Sequence, residues 1–245
     1  MHFEAWQWAI AVTAAIVVGI SKTGVSGLGL LAVTIFALII PAKQSTGLVL
    51  PLLIVGDIVA VASYRRHTQW AFLWKLFPWT AAGVLLGALA LGRLDDRQVK
   101  WLIGIIVLVL LALHVIRRRG GVADEPEQGA WFAPVVGVLA GFTTLVANAA
   151  GPLMAIYLLA MRLPKMEFVG TGAVFFLLLN LFKVPFMVWL GLITPGSFTL
   201  NLWLAPAVLV GTWIGRKLLT RLDQRLFENL ALGLSAAAGV KLLLF

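Results

Sequence analysis

Eight apolar runs, at 5–40, 47–64, 70–92, 99–116, 130–163, 168–190, 198–215 and 226–245, occupy most of this chain. Each is about 18 residues or longer, the length at which a helix crosses the hydrocarbon core of a bilayer. In lipid every backbone N–H and C=O needs a partner inside its own element, so runs of this kind fold as helices. Composition agrees. With 61% hydrophobic and only 12% charged residues, and a mean hydropathy of +1.01, the chain cannot present a polar surface to water on all sides. The expectation is an all-α integral membrane protein. Trp6, Trp8, Trp70, Trp101 and Trp131 stand near the ends of runs, where tryptophan anchors helices at the membrane interface. The start, MHFEAWQW, lacks a basic leader and is not read as a removable signal peptide.

The net charge of +9 fits Lys and Arg gathered in cytoplasmic loops. A nucleic-acid partner is a poor alternative, because no basic soluble domain exists to meet one. The absence of cysteine removes disulfides, thiolate metal sites and Cys nucleophiles. His2, His67 and His114 fall near the ends of runs, and no paired acids lie within them, so neither catalytic residues nor a metal or cofactor is expected.

One polar stretch, "RRRGGVADEPEQG" at 117–129, divides the chain almost evenly, and the halves repeat each other. "IPAKQSTG" (40–47) aligns with "LPKMEFVG" (163–170) at an offset of 123, which places Asp57 on Asn180. "GVLLG" (83–87) and "RLDDR" (93–97) align with "GTWIG" (211–215) and "RLDQR" (221–225) at an offset of 128. The reading is a first repeat at 1–116, a cytoplasmic linker at 117–129 and a second repeat at 130–245. If 5–40 and 130–163 are hairpins, eleven Lys and Arg residues fall in loops on one side and four on the other. The richer side is then the cytoplasm, both termini are extracytoplasmic, and the repeats have inverted topology. Each repeat holds one broken segment, re-entrant or spanning, plus three transmembrane helices.

The broken segments carry the polar residues. As one straight helix, 5–40 would extend about 54 Å, far beyond the core thickness. "GISKTGVSGLGLL" (19–31) sets Ser21, Lys22, Thr23 and Ser26 among Gly24, Gly27 and Gly29. "GFTTLVANAAGPLMAIYLL" (141–159) does the same with Thr143, Thr144, Asn148 and Gly151, with Pro152 expected at the first position of the next helix. Inverted repeats bring two helix starts, near Leu30 and Pro152, toward one point. The first N–H groups of a helix lack intrahelical partners and carry the positive end of its dipole. Glycine lets a ligand approach them closely. Lys22, Thr23, Ser26, Gly27, Gly29, Thr143, Thr144, Asn148 and Gly151 therefore form a candidate anion cradle.

Blander readings stand beside this one. Small residues in membrane helices commonly serve helix packing, which is the better account of Gly83, Gly87, Gly211 and Gly215. Lys22 would snorkel to an interface if its break were shallow. Asp57 lies deep in its run, where an ionised carboxylate costs at least roughly 2.5 kcal/mol. It is either a partner for Lys22 or Lys183, or a proton carrier. Asn180 and Lys183, three residues apart, share a helix face with Pro185 nearby. Gln44, Ser45 and Thr46 are expected to cap a helix at 47–64. The "RLDDR" and "RLDQR" loops are expected to be turns whose Asp caps the next helix.

With these residues in view, the chain resembles the sulfite exporter TauE/SafE family, also called the TSUP family. The resemblance rests on "GISKTGVSGLGLLAV", "PAKQSTGLVLPLLIVGDIVAVASYRR", "AGFTTLVANAAGP" and "LPKMEFVGTGAVFFLLLNLFKVPF". It implies a small bacterial inner-membrane protein with two homologous halves that moves sulfite, sulfoacetate or related organosulfonates. Proton coupling is an expectation for such exporters, with Asp57, Asn180 and Lys183 as the charge network. Two competitors remain at this point: a passive anion channel, and a membrane-embedded enzyme acting on a lipid-linked phosphate. Oligomeric state is not legible.

Overall fold

The computed structural model describes residues 4–23, 28–36, 38–40, 42–90 and 130–244, with a few positions between 101 and 115. Every regular element among them is helical. In chain order these are α1 (Ala5–Thr23), α2 (Leu28–Phe36), α3 (Ala42–Tyr64) with a 3₁₀ turn at Arg65–His67, and α4 (Trp70–Ala90). The second half supplies α5 (Phe132–Ala147), α6 (Ala150–Ala160), α7 (Lys165–Trp189), α8 (Pro195–Arg221) and α9 (Gln224–Leu244). Ala5–Thr23, Gln44–His67, Trp70–Ala90, Lys165–Trp189 and Pro195–Arg221 are each long and apolar enough to cross a membrane. By contrast α2, with 9 residues, and α6, with 11, span only about 14–17 Å. The linker at 117–129 and the "RLDDR" loop lie outside the described residues.

Lipid tails are as apolar as leucine, so helices in a membrane associate through close contact rather than through the expulsion of water. Two helix pairs here achieve that contact on glycine. Along α1 and α8, a Cβ added at Gly19 would strike the Val208 carbonyl and come within 2.6 Å of the Thr212 nitrogen. One added at Gly211 would strike the Ile16 carbonyl, and one at Gly215 would lie 2.9 Å from the Ile20 carbonyl. Along α4 and α5, a Cβ at Gly141 would strike the Thr80 carbonyl and approach the Val84 nitrogen to 2.8 Å. At Gly83 it would strike the Val138 carbonyl. In both pairs the contacts climb the two helices together, so each pair is parallel. The Gly-x-x-x-Gly motifs are packing surfaces.

A third pair, α3 and α7, runs antiparallel. Gly47 at the start of α3 lies against Leu192 just beyond α7, Asp57 meets Asn180 midway, and Gly170 near the start of α7 lies against the Tyr64 carbonyl. Past the end of α3, Thr68 Oγ1 donates to the Gly170 carbonyl at 3.2 Å, and the Gln69 N–H donates to Thr171 Oγ1 at 2.9 Å. Around α6, residues 152–160 are all buried, as a short helix surrounded by protein should be. A second core joins Ala11, Ala14 and Ala15 of α1 to Phe36, Leu48, Leu52 and Leu204.

Local chemistry sets several boundaries. Thr194 and Ser197 form a reciprocal capping box at the start of α8, with Pro195 in the first turn. Asp223 Oδ1 accepts the Leu226 N–H at 2.7 Å, so the Asp of "RLDQR" caps α9 as expected. Other expectations shift. Helix α3 begins at Ala42, so Gln44, Ser45 and Thr46 are not caps; they lie in its opening turns, with Ser45 and Thr46 buried. Ala42, Lys43 and Gln44 are all good helix formers, and none of them offers a reason to stop the helix. Likewise α2 starts at Leu28 and α6 at Ala150, two residues before the expected points. Pro152 is thus the third residue of α6, still within the first turn, where no intrahelical bond from its nitrogen is required.

Candidate functional site

The break between α5 and α6 is built by one residue. Asn148 adopts φ 51° and ψ 32°, a left-handed conformation that asparagine tolerates better than most side chains. Its N–H donates to the Thr144 carbonyl at 3.0 Å, and the next N–H, of Ala149, reaches the Thr143 carbonyl at 3.2 Å. The left-handed residue and its 5→1 bond make this the αL type of helix ending. Helix α6 then starts within two residues. On the other side α1 ends at Thr23 and α2 resumes at Leu28; Ser26 and Gly27, with the rest of 24–27, lie outside the described residues.

A cavity opens between the breaks. Gly29, the second residue of α2, and Gly151, the second residue of α6, both line it. Lys22, Ser21, Asp57, Thr144, Asn148 and Asn180 supply its polar wall. Two helix first turns and the last turns of two others thus meet around one space. The rest of the lining is mostly apolar: Met154 and Leu158 from α6, Phe168, Val169 and Phe176 from α7, with Val33 and Leu53.

The charges are arranged as a chain. Lys22 Nζ lies 2.8 Å from Asp57 Oδ1 and 4.6 Å from the centroid of the Phe176 ring, a distance suited to a cation–π contact. Asn180 Nδ2 donates to Asp57 Oδ2 at 2.6 Å. Lys183 Nζ donates to Asn148 Oδ1 at 2.6 Å, to Thr144 Oγ1 at 3.1 Å and to Asn180 Oδ1 at 3.5 Å. Asn148 Nδ2 donates in turn to the Thr46 carbonyl at 3.0 Å. Asp57 and Lys183 are fully buried. Three acceptors meet the three N–H groups of the Lys183 ammonium. With Lys22, two lysines and one carboxylate make up the titratable groups of this cluster among the described residues. Both ammonium groups also sit at C-terminal ends of broken helices, Lys22 in the last turn of α1 and Lys183 against Thr144 and Asn148 of α5, where the helix dipole favours a cation.

Of the sequence-predicted residues, the structure brings Lys22, Gly29, Thr144, Asn148 and Gly151 to the cavity, together with Asp57 and Asn180. Lys183 stands behind the wall and binds residues that form it. Two residues turn elsewhere. Thr23 Oγ1 donates to the Gly19 and Thr212 carbonyls, and its own carbonyl accepts from Tyr64 Oη at 3.1 Å. Thr143 Oγ1 donates to the Ala140 carbonyl at 3.2 Å. Sequence reasoning left Ser21 and the apolar wall out of the site. A signal for the latter exists: Val169, Gly172, Ala173, Phe176 and Asn180 recur at the three- and four-residue spacing of one helix face.

A cavity among apolar helices, with a lysine–aspartate pair on its wall, marks the place where a functional site is to be sought. The sequence profile described as Sulfite exporter TauE/SafE matches residues 11–242. The chain belongs to the sulfite exporter TauE/SafE family. No curated protein and no solved structure matched the chain in the other two comparisons. In TauE/SafE terms the match includes both broken segments and the α3–α7 crossing, so every described cavity residue lies inside it. Membership makes the chain a multi-pass membrane protein of a transporter family.

Proposed function

We propose that this protein is a secondary transporter that exports a small sulfur-containing anion, such as sulfite, sulfoacetate or a related organosulfonate, coupled to protons. Two inverted repeats alternate access to the cavity. The observation that carries the reading is the Lys22–Asp57 pair on the wall of a cavity that also meets the first turns of α2 and α6. An anion there finds an ammonium, the amide and hydroxyl donors of Asn148 and Thr144, and two positive helix ends close to glycine backbone. Protonation of Asp57 would neutralise the one carboxylate competing for Lys22. Anion binding and proton binding are then favourable together, so the two move in the same direction and export carries protons outward with the anion.

Support for inversion comes from equivalent contacts. Gly19 meets Val208 and Thr212; Gly141 meets Thr80 and Val84. The first residues of these sets differ by 122 positions and their partners by 128, the offset already seen for the Gly-x-x-x-Gly motifs. Gly211 with Ile16 and Gly83 with Val138 obey the same two offsets. Asp57 and Asn180 are equivalent at 123 and touch each other, as residues on a two-fold axis do. Because α3 and α7 are antiparallel there, that axis runs across the helices, in the plane of the membrane. On the offset of 122, Lys22 corresponds to Thr144. The first half thus carries the charged pair and the second its neutral counterpart, Thr144 and Asn180.

A binding screen of the purified protein against sulfite, sulfoacetate, thiosulfate and simple carboxylates tests the reading. The sulfur oxyanions should bind and should lose affinity in Lys22→Ala. Equal affinity for carboxylates, or no dependence on Lys22, would count against it.

A further inference from the structure

Lys183 does not line the cavity, yet it is fully buried and spends its donors on Asn148, Thr144 and Asn180. Its effect on Asn180 reaches further. A lysine ammonium only donates, so the atom Asn180 turns toward it is the amide oxygen. The amide nitrogen is thereby aimed at Asp57, where it donates to Oδ2 at 2.6 Å. An oxygen that accepts from an N–H at that distance is a poor place for a proton, because two hydrogens would then face each other. Oδ1 accepts from Lys22 at 2.8 Å as well, but that donor sits on the cavity wall and can turn to an anion, whereas the amide is held from both sides by Asp57 and Lys183.

We infer that Lys183 is a positioning residue: by fixing the Asn180 amide it directs the proton taken up by Asp57 to Oδ1, so that protonation releases Lys22. The inference rests on Asp57 as the proton carrier of the reading above. A proton from cavity water adds to a lone pair of Oδ1 and neutralises the carboxylate. Lys22 keeps its own proton and its charge, and loses its partner to the incoming anion. With the amide turned the other way, the proton would go to Oδ2 and Lys22 would stay bound to Oδ1, breaking the link. The groups facing Asp57 are few among the described residues. Lys22 comes from α1 and Asn180 with Lys183 from α7; α8 brings Val208 against the neighbouring Gly56, and α2 and α5 contribute Val33 and Thr144 to the cavity that Asp57 lines. Lys22 and Lys183 are the charged members of that set.

Infrared difference spectra between acid and neutral pH, taken on the full chain in lipid nanodiscs, test this without any transported anion. The carbonyl band of protonated Asp57 is identified by its loss in Asp57→Asn. In the wild-type protein it should be a single band lowered by the hydrogen bond from Asn180. Lys183→Met, which fits the space but frees the amide, should split or move that band. Lys183→Leu removes the donor in the same way, should the Met variant not insert. A band unchanged in a stable Lys183 variant would overturn the inference while leaving Asp57 as carrier. No titrating Asp57 band in the wild-type protein would overturn both.

Discussion

Asn180 donates to Asp57 across the middle of the α3–α7 crossing, and the two residues stand 123 positions apart in the chain. On the proposed repeat they are the same position in the two halves, one acidic and one neutral. That difference matters electrostatically. Two carboxylates facing each other at this depth would repel and cost several kcal/mol; an amide supplies a donor instead and leaves the single charge to Lys22.

Replacing Lys22 by alanine should lower anion affinity by tenfold or more and destabilise the fold, because it leaves the buried Asp57 unpaired. Breaking a buried pair costs about 3–5 kcal/mol. The double variant Lys22→Ala/Asp57→Ala removes both charges and should recover much of the stability but none of the anion affinity. Thermal unfolding in detergent and binding titrations, done on both variants, separate the two effects.

The chain contains no cysteine, so single introduced thiols report accessibility cleanly. Ser21→Cys should react with a small polar thiol reagent and be protected by bound anion, since Ser21 lines the cavity. Thr23→Cys should stay unreactive, because Thr23 is buried against α8. Reversal of that order in labelling rates would place the wrong face of α1 toward the cavity.

Two glycines should respond oppositely. Gly141 touches the backbone of α4, so Gly141→Val should separate the helices and lower stability by about 1–3 kcal/mol. A Cβ at Gly151 would meet nothing within 4 Å, and Gly151 lines the cavity. Gly151→Ala should therefore leave the unfolding temperature within a few degrees of wild type while reducing anion affinity by crowding the site.

Asn148 combines a left-handed backbone with a side chain held by Lys183 and the Thr46 carbonyl. Asn148→Gly should relieve the backbone but lose both side-chain contacts. Asn148→Ala loses the same contacts and adds about 1–2 kcal/mol of backbone strain. Alanine should thus be the less stable variant in chemical or thermal unfolding. Equal stability of the two would mean that the left-handed turn is not held in the folded protein.

Much of this was readable in advance. Helix positions followed from run length, because the bilayer sets that length, and the second break followed from Thr143–Gly151, where polar side chains and glycine interrupt an apolar run. The Lys22–Asp57 pair was anticipated as one of two partnerships, since a deep carboxylate needs a cation. What sequence left open was azimuth. Lys22 and Thr23 are neighbours, yet successive residues on a helix point about 100° apart; one faces the cavity and the other faces α8. Thr143 and Thr144 divide in the same way. The apolar wall was hidden for a different reason: Phe176 on a membrane helix looks the same in sequence whether it meets lipid or ligand.

The most direct test of the account is anion flux in proteoliposomes under an imposed pH gradient, comparing the wild-type protein with Asp57→Asn. The wild-type protein should move the anion against its concentration gradient and stop when the pH gradient is collapsed, while Asp57→Asn should still exchange anion across the membrane but fail to concentrate it. Uphill transport by Asp57→Asn, or a wild-type conductance indifferent to the pH gradient, would contradict the account.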